Sequence, residues 1–594
     1  MLSVLLIWLY MIFTCYVTGF ACIRCIFGKE IFQHKKEINY IYAGVGAVTV
    51  YAQFFSIFGK VGLAANLLLL FVCAVCIILF GKDMAEDFHA LRLTAAPRYV
   101  AVAAVILLLF AYGTSTGILH YDTALYHAQS IRWIEEYGVV PGLGNLHSRL
   151  AYNSAAFCLS ALYSMAFLGG QSYHCCAGFL AFLLALVCVE ALKEGVRRKP
   201  RLSDFARIIG VYYLLILFDE MISPASDYFM VLLVFFIIIR WLELLENRES
   251  SYLPYGMLCV LCVVVMTIKL SGALMLLLTV KPAVMLLRKE QGGRLEGQIT
   301  GNNGRNLPED FLKRPGKDII KFLGMGILTA APFLIRNVIL SGWLIYPFTF
   351  IDLFSFDFKI PKDMADYDSH EIQVWGRGYS DVNRYGEPVM KWLPDWIRGL
   401  DKTNRAFLAL ALSGLVLLLI FAIYAVIKRK RDMADFLHVA GTLASCFLFW
   451  LLSAPLIRYG CVFLWLFPTL IWGYLYLHIS PHLDRFRIFT VLILLFGVYK
   501  LCTFGLETGR GLTAEYLVNQ KDYENFETIA YELHGYTFYY PASGDRTGYR
   551  DFPSSPVKVL AKGVSSEENP AKEATAKEAG DIFRGDTIKE GFHP

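Results

Sequence analysis

The feature that most constrains this chain is a series of long, nearly unbroken apolar runs. Met1–Phe27, Val61–Phe80, Tyr99–Tyr112, Phe229–Ile239 and Leu408–Ile427 are the plainest. A helix of about 20 apolar residues crosses ~30 Å of hydrocarbon. Lipid offers no partner for backbone N–H or C=O, so runs of this kind must be helical there. Composition agrees, since only 18% of the residues are charged, against about 25% in soluble domains. A soluble enzyme with a single anchor is excluded, and the expectation is an all-α polytopic membrane protein. Met1–Phe27 has no basic segment ahead of its apolar stretch and ends in Arg24, with Lys29 just beyond. It reads as a span with its N-terminus outside, not as a signal peptide.

Basic clusters set the topology, because cytoplasmic loops carry an excess of Lys and Arg. Lys29–Lys36, Lys82–Arg98, Lys193–Arg201, Arg288–Lys317 and Lys428–Arg431 are all placed inside. The result is about 14 spans, near 2–27, 39–57, 60–81, 99–118, 172–192, 205–222, 226–246, 252–268, 271–288, 318–340, 404–427, 433–454, 459–478 and 484–504, with both termini outside. Ala151–Leu168 is apolar enough to span, but counting it would put Lys193–Arg201 on the outer side. Residues 119–171 are therefore read as a large outer loop with interfacial helices, one of them apolar and dipping into the membrane. Trp133, Tyr137, Tyr152 and Tyr163 suit headgroup level.

This divides the chain into N-terminal helices with a cytoplasmic loop (1–98), a transmembrane core (99–504) with outer loops 119–171 and 341–404, and a small outer C-terminal region (505–560). The tail (561–594) alternates Lys and Glu and is expected to be disordered. Gln291–Pro315 reads as a flexible linker. Nearly all of the 14 cysteines lie in apolar runs. The CxxC pairs Cys22/Cys25, Cys73/Cys76 and Cys259/Cys262 have no accompanying His or carboxylate, so they read as small packing residues.

In this topology several uncommon polar residues fall at the outer ends of spans. His120-Tyr121-Asp122 leads into Tyr126, His127 and Gln129. Asp122 suits a helix N-cap, and Asp122, Tyr126 and Gln129 lie at helical spacings. Asp219, Glu220 and Asp227 crowd the turn between two spans. Lys269 stands alone between apolar runs, where a buried ammonium is costly. Arg336-Asn337 and Arg458-Tyr459 put arginines outside, against the general trend. A guanidinium there asks for an anion, either a carboxylate or a phosphate that it binds bidentately. Carboxylates beside such cations are what sugar transfer from a lipid phosphate needs. One carboxylate takes the proton of the attacking hydroxyl, and cations stabilise the departing phosphate. No phosphate-binding GxxxxGK[ST] loop or zinc spacing is present.

The order of these features resembles the GT-C superfamily of polyprenyl-phosphate-sugar glycosyltransferases. It runs from an acid in the first outer loop, through Pro224-x-x-Asp227 at a helix start and Lys269 in an outer turn, to Arg336-Asn337 closing a span and a late Arg458. Tyr121–Asn153, Thr267–Ser271, Arg336–Pro347 and Ser453–Gly460 are closer still to a bacterial family of large polytopic membrane proteins with a GT-C-like core. The resemblance covers about 99–480. It implies an inverting glycosyltransferase in the cell membrane with its site facing the periplasm or exterior, Asp122 and Asp227 as catalytic acids, and Lys269, Arg336 and Arg458 at the donor phosphate. Tyr126, His127, Gln129, Asn337 and Tyr459 are the further substrate-binding candidates. The partners implied are a polyprenyl-phosphate-linked sugar, a glycan, lipid or protein acceptor and membrane lipids, with no nucleic acid. Many members carry two adjacent acids in loop one, whereas Asp122 is flanked by Tyr121 and Thr123, so a divalent metal stays open and no other cofactor is implied. Two other readings stand beside this one. The first is a polysaccharide polymerase or ligase using His370, Arg377, Arg384 and Arg398 of the 341–404 loop. The second is a lipid-linked sugar flippase or other transporter.

Overall fold

A computed structural model describes residues 1–28, 37–94, 97–190, 199–288, 315–430, 433–479, 491–492, 494–503, 505–506, 514–561, 578–579 and 582–594. Ten helices among them are long and apolar enough to cross a membrane: Leu2–Ile26, Ile38–Phe58, Leu63–His89, Tyr99–Thr116, Ser226–Glu246, Leu270–Arg288, Asp318–Ser341, Lys402–Ile427, Ala434–Ser453 and Ile457–Ile479. The chain is a predominantly helical multi-pass membrane protein. Three further expected spans are shorter helices, Cys176–Glu190, Leu202–Leu217 and Tyr252–Ile268. Of 484–504, Leu494–Thr503 is described as helix. The linker Gln291–Pro315 lies almost wholly outside the described residues, as do Lys29–Lys36 and most of Lys193–Arg201 and Arg288–Lys317.

Ser226–Glu246 is the hub, with every residue from Ser226 to Leu242 buried. It packs against Cys176–Glu190, Leu202–Leu217, Tyr252–Ile268 and Ile457–Ile479. Its apolar surface is continuous because neighbours cover it on all sides. Leu63–His89 and Lys402–Ile427 are equally apolar but lie on the outside of the bundle, with most of their side chains uncovered by protein. That is the surface a bilayer would cover.

Most of the apolar stretch Ala151–Leu168 is enclosed by protein, while Leu168 at its end is exposed. The stretch forms a helix of nine residues, Ala155–Tyr163, with every side chain buried, followed by a 3₁₀ turn Ala166–Leu168. The helix packs on Glu37–Phe58 and on Ala128–Glu136. Its hydrophobicity serves protein packing, which charge counting alone cannot tell from membrane burial. Trp133 and Tyr163 are likewise enclosed by protein. The Tyr163 hydroxyl bonds that of Thr14 at 2.7 Å.

The C-terminal region carries an antiparallel hairpin, Thr528–Leu533 with Tyr536–Pro541. Its two-residue turn, His534-Gly535, has positive φ at both positions, the geometry that matches strand twist. The end of the expected disordered tail is packed. Ile582, Phe583, Ile588 and Phe592 share a core with Trp133, Val140, Leu143 and Phe538, and the Phe592 N–H donates to Pro141 O at 3.0 Å. Four apolar side chains buried together outweigh the polar composition around them. Residues 562–577 lie outside the described residues.

Candidate functional site

Two turns at one end of the bundle are stitched together. The Ile118 N–H donates to Asp219 O at 2.7 Å, and the His120 N–H to Ser223 Oγ at 2.7 Å. The Ser223 hydroxyl donates in turn to Ile118 O at 3.2 Å. These bonds bring Asp122 and Asp227 to one corner. Asp122 occupies the N-cap position but makes no capping bond with its side chain. Its Oδ2 lies 2.6 Å from Arg458 Nη2, so the carboxylate serves an ion pair.

Asp227 sits in the first turn of Ser226–Glu246, where the helix dipole favours negative charge. Lys269 is the extended residue that ends Tyr252–Ile268, where a cation is favoured. The following helix turns back, since the Lys281 ammonium lies 5.0 Å from the Tyr255 ring, and Lys269 therefore occupies a hairpin turn. Its ammonium pairs with Asp227 and lies 3.9 Å over the Tyr459 ring. Arg458 projects from a single turn before a kink at Gly460. A Cβ at Gly460 would run into the Trp450 indole, and Trp450 Nε1 donates to Leu456 O at 2.9 Å, so one tryptophan sets the turn that aims Arg458. The guanidinium also reaches His120 Nε2 at 2.7 Å and approaches Asp227 Oδ2 at 3.8 Å.

Two carboxylates thus face two cations. Burial pushes the Asp122 carboxyl up, but the charges around it, the Arg458 guanidinium foremost, more than offset this and hold the group below its ordinary value. It is ionised at neutral pH. Burial and the neighbouring Arg458 lower His120, and burial drives His127 down to about 3, so both imidazoles are neutral. His127 Nδ1 is buried with no partner among the described residues. The other two acids of the 219–227 turn point elsewhere, Asp219 toward Lys500 at 3.6 Å and Glu220 to the Tyr228 hydroxyl.

Beside this cluster lies a cavity of about 260 Å³, near the lower end of the roughly 300–1,000 Å³ of small-molecule pockets. Tyr126, Asn153, Lys269, Asn337 and Tyr459 face it, together with apolar side chains that include Phe157, Met266, Phe333 and Phe449. Arg336 lies one layer behind. It lines a small adjoining void, donating from Nε to Asn153 Oδ1 at 3.0 Å and from Nη1 to Ser56 Oγ. Asn337 Nδ2 donates to Phe333 O at 3.3 Å.

Gln129 belongs to a different contact. Thr123–His127 is a π-helical turn, which shifts the register that simple helical spacing assumes. Tyr126 faces the cavity, edge-on to Tyr152 and His127. The Gln129 amide instead donates to Gly548 O and Asp551 O, both at 2.9 Å, and ties down the C-terminal region. In the 341–404 loop, His370 stacks on Tyr385, Arg377 donates to Tyr385 O, and Arg384 and Arg398 pair with Glu387 and Asp395. None of the four lines the cavity. Among the described residues no three His, Cys, Asp or Glu side chains are grouped as a metal site would require. Tyr152, Asn153 and Tyr346 are cavity residues that charge patterning does not single out. Their packing beside Tyr126 and Arg336 in the fold reveals them.

Fold and site together define a multi-pass helical membrane protein with a buried charge cluster and an adjoining cavity at one end of its helices. Residues 1–296 and 309–465 match a family described as a domain of unknown function, DUF8201, and the chain belongs to that family. No curated protein and no solved structure is significantly similar to it.

Proposed function

We propose that the protein is a membrane glycosyltransferase of GT-C type, with about 14 spans, that moves a sugar from a polyprenyl-phosphate carrier to a hydroxyl acceptor at the outer face of the cell membrane. The observation that carries this reading is the meeting of Asp122, Asp227, Lys269 and Arg458, drawn from four distant segments, beside one cavity with both polar and apolar walls. In the mechanism the reading implies, Asp122 is the general base. It stays ionised because Arg458 pairs with it, and it accepts the proton of the acceptor hydroxyl as that oxygen attacks the anomeric carbon. The bond from that carbon to the phosphate oxygen breaks, and the departing phosphate takes the electron pair. Lys269 and Arg458 offset the growing negative charge, and Arg336, which has no carboxylate partner among the described residues, adds positive potential from behind Asn153. The apolar wall suits the first prenyl units. The test is to incubate purified protein in lipid nanodiscs with a panel of polyprenyl-phosphate sugars and measure release of free polyprenyl phosphate. Turnover of at least one donor is expected. A protein that releases none, yet moves intact carrier-linked sugar across a vesicle membrane, is a transporter instead.

A further inference from the structure

On the side of the cavity contributed by the 341–404 loop lies a carboxylate that the reaction above does not use. Asp368, on the helix Lys362–Gly376, is 3% exposed. Its Oδ1 accepts from the Tyr152 hydroxyl at 2.8 Å and the Ser148 hydroxyl at 3.3 Å. No Lys or Arg forms an ion pair with it among the described residues. Its Oδ2 is buried and meets no group in good hydrogen-bond geometry, and neither does the hydroxyl of Tyr346, which is directed at the same carboxylate. The two face each other in a contact that falls short of a normal hydrogen bond. Tyr152, Tyr346 and Ser369 all face the cavity, and the Tyr152 and Tyr346 rings are 6.1 Å apart. Buried polar atoms without partners are uncommon in folded proteins, and each calls for an explanation.

We infer that Asp368, Tyr152 and Tyr346 form a hydroxyl-recognition subsite that holds the sugar ring of the carrier-linked donor. The inference rests on the donor reading above and adds where the sugar lies. A sugar hydroxyl inserted between them donates to Asp368 Oδ2 and accepts from Tyr346, replacing their poor mutual contact with two well-formed hydrogen bonds. The tyrosine and phenylalanine rings of the wall offer apolar faces to the C–H groups of the ring. Placed there, the sugar lies against the wall formed by Tyr152 and Tyr346, and the phosphate is left to Lys269 of the same cavity. Asp368 is then a specificity-determining residue that binds substrate without taking part in proton transfer.

The experiment measures binding of two probes to detergent-purified protein by native mass spectrometry: undecaprenyl phosphate alone, and the undecaprenyl-phosphate sugar from the panel that binds wild type best. Asp368→Asn is expected to weaken the sugar-bearing probe about tenfold or more, the loss that follows when a hydrogen bond to a charged group goes, and to leave undecaprenyl phosphate unchanged. Tyr152→Phe, which keeps the ring, carries the test if Asp368→Asn does not fold. Equal loss of both probes, or no loss of either, overturns the subsite while the donor reading stands. Wild-type protein that binds neither probe removes the donor reading, and the subsite with it.

Discussion

Replacing Arg458 with glutamine removes the one cation that touches both sides of the cluster. Its Nη2 lies 2.6 Å from Asp122 Oδ2 and its Nε 3.8 Å from Asp227 Oδ2. With charge centres about 4 Å apart and an effective dielectric constant of ~20, the attraction to Asp122 is about 4 kcal/mol. Asp122 is mostly buried, with 17% of its side chain exposed, and Arg458→Gln leaves its carboxylate there unpaired, which costs roughly 3 kcal/mol of stability. Asp122→Asn alone leaves Arg458 with Asp227 as a distant partner and costs somewhat less. In the double variant Asp122→Asn/Arg458→Gln neither charge remains, and the loss shrinks to about 1 kcal/mol. The expected coupling, the two single losses less the double loss, is therefore roughly 4 kcal/mol. It is read from reversible unfolding of the four proteins in mixed micelles, followed by tryptophan fluorescence. A coupling below about 0.5 kcal/mol would show that the two side chains do not depend on each other, and the electrostatic account of the site would fail.

Other outcomes follow from the same structure. Gly460→Ala drives a methyl group into Trp450 and is expected to cost about 1–3 kcal/mol by overpacking, with turnover reduced because the turn holding Arg458 shifts; unchanged stability and turnover would mean that Gly460 is not what positions Arg458. Because Arg458 keeps the Asp122 carboxyl below its ordinary value in the folded protein, this pair stabilises the fold fully above the ordinary carboxylate range. That contribution is lost as pH falls through the lowered value, so the acid limb of a pH–stability profile should flatten in Asp122→Asn. His370→Ala and Arg377→Ala disturb contacts with Tyr385 and are expected to lower thermal stability while leaving donor turnover within a few-fold of wild type. Abolished turnover in either would favour the polymerase or ligase reading. Gln129→Ala breaks the bonds to Gly548 and Asp551 and should speed protease cleavage between residues 514 and 561.

Much of this architecture was legible in the sequence, and the gaps have physical causes. Apolar runs report helices because lipid and protein interiors both demand them. For the same reason Ala155–Tyr163, enclosed by protein, is indistinguishable by hydropathy from a membrane-dipping segment. Lys269 was legible because a lone ammonium between apolar runs has to sit at an end or a turn, and it does. Gln129 was not, because helical spacing assumes an α register and Thr123–His127 is a π turn. Asp368 lies in a polar loop where one carboxylate looks like any other. Its burial comes from Tyr152 and Ser148, far away in the sequence. Phe583 and Phe592 were hidden by the charged residues around them.

The most direct test of the central claim is the rate at which Asp122→Asn releases polyprenyl phosphate, relative to wild type, with the donor that turns over fastest. The variant keeps the shape of the side chain and loses its capacity to take a proton, and general-base catalysis contributes typically 10²–10⁴-fold. The account predicts a drop of at least about a hundredfold in kcat, in protein that remains folded and still binds undecaprenyl phosphate. A rate within a few-fold of wild type would contradict it.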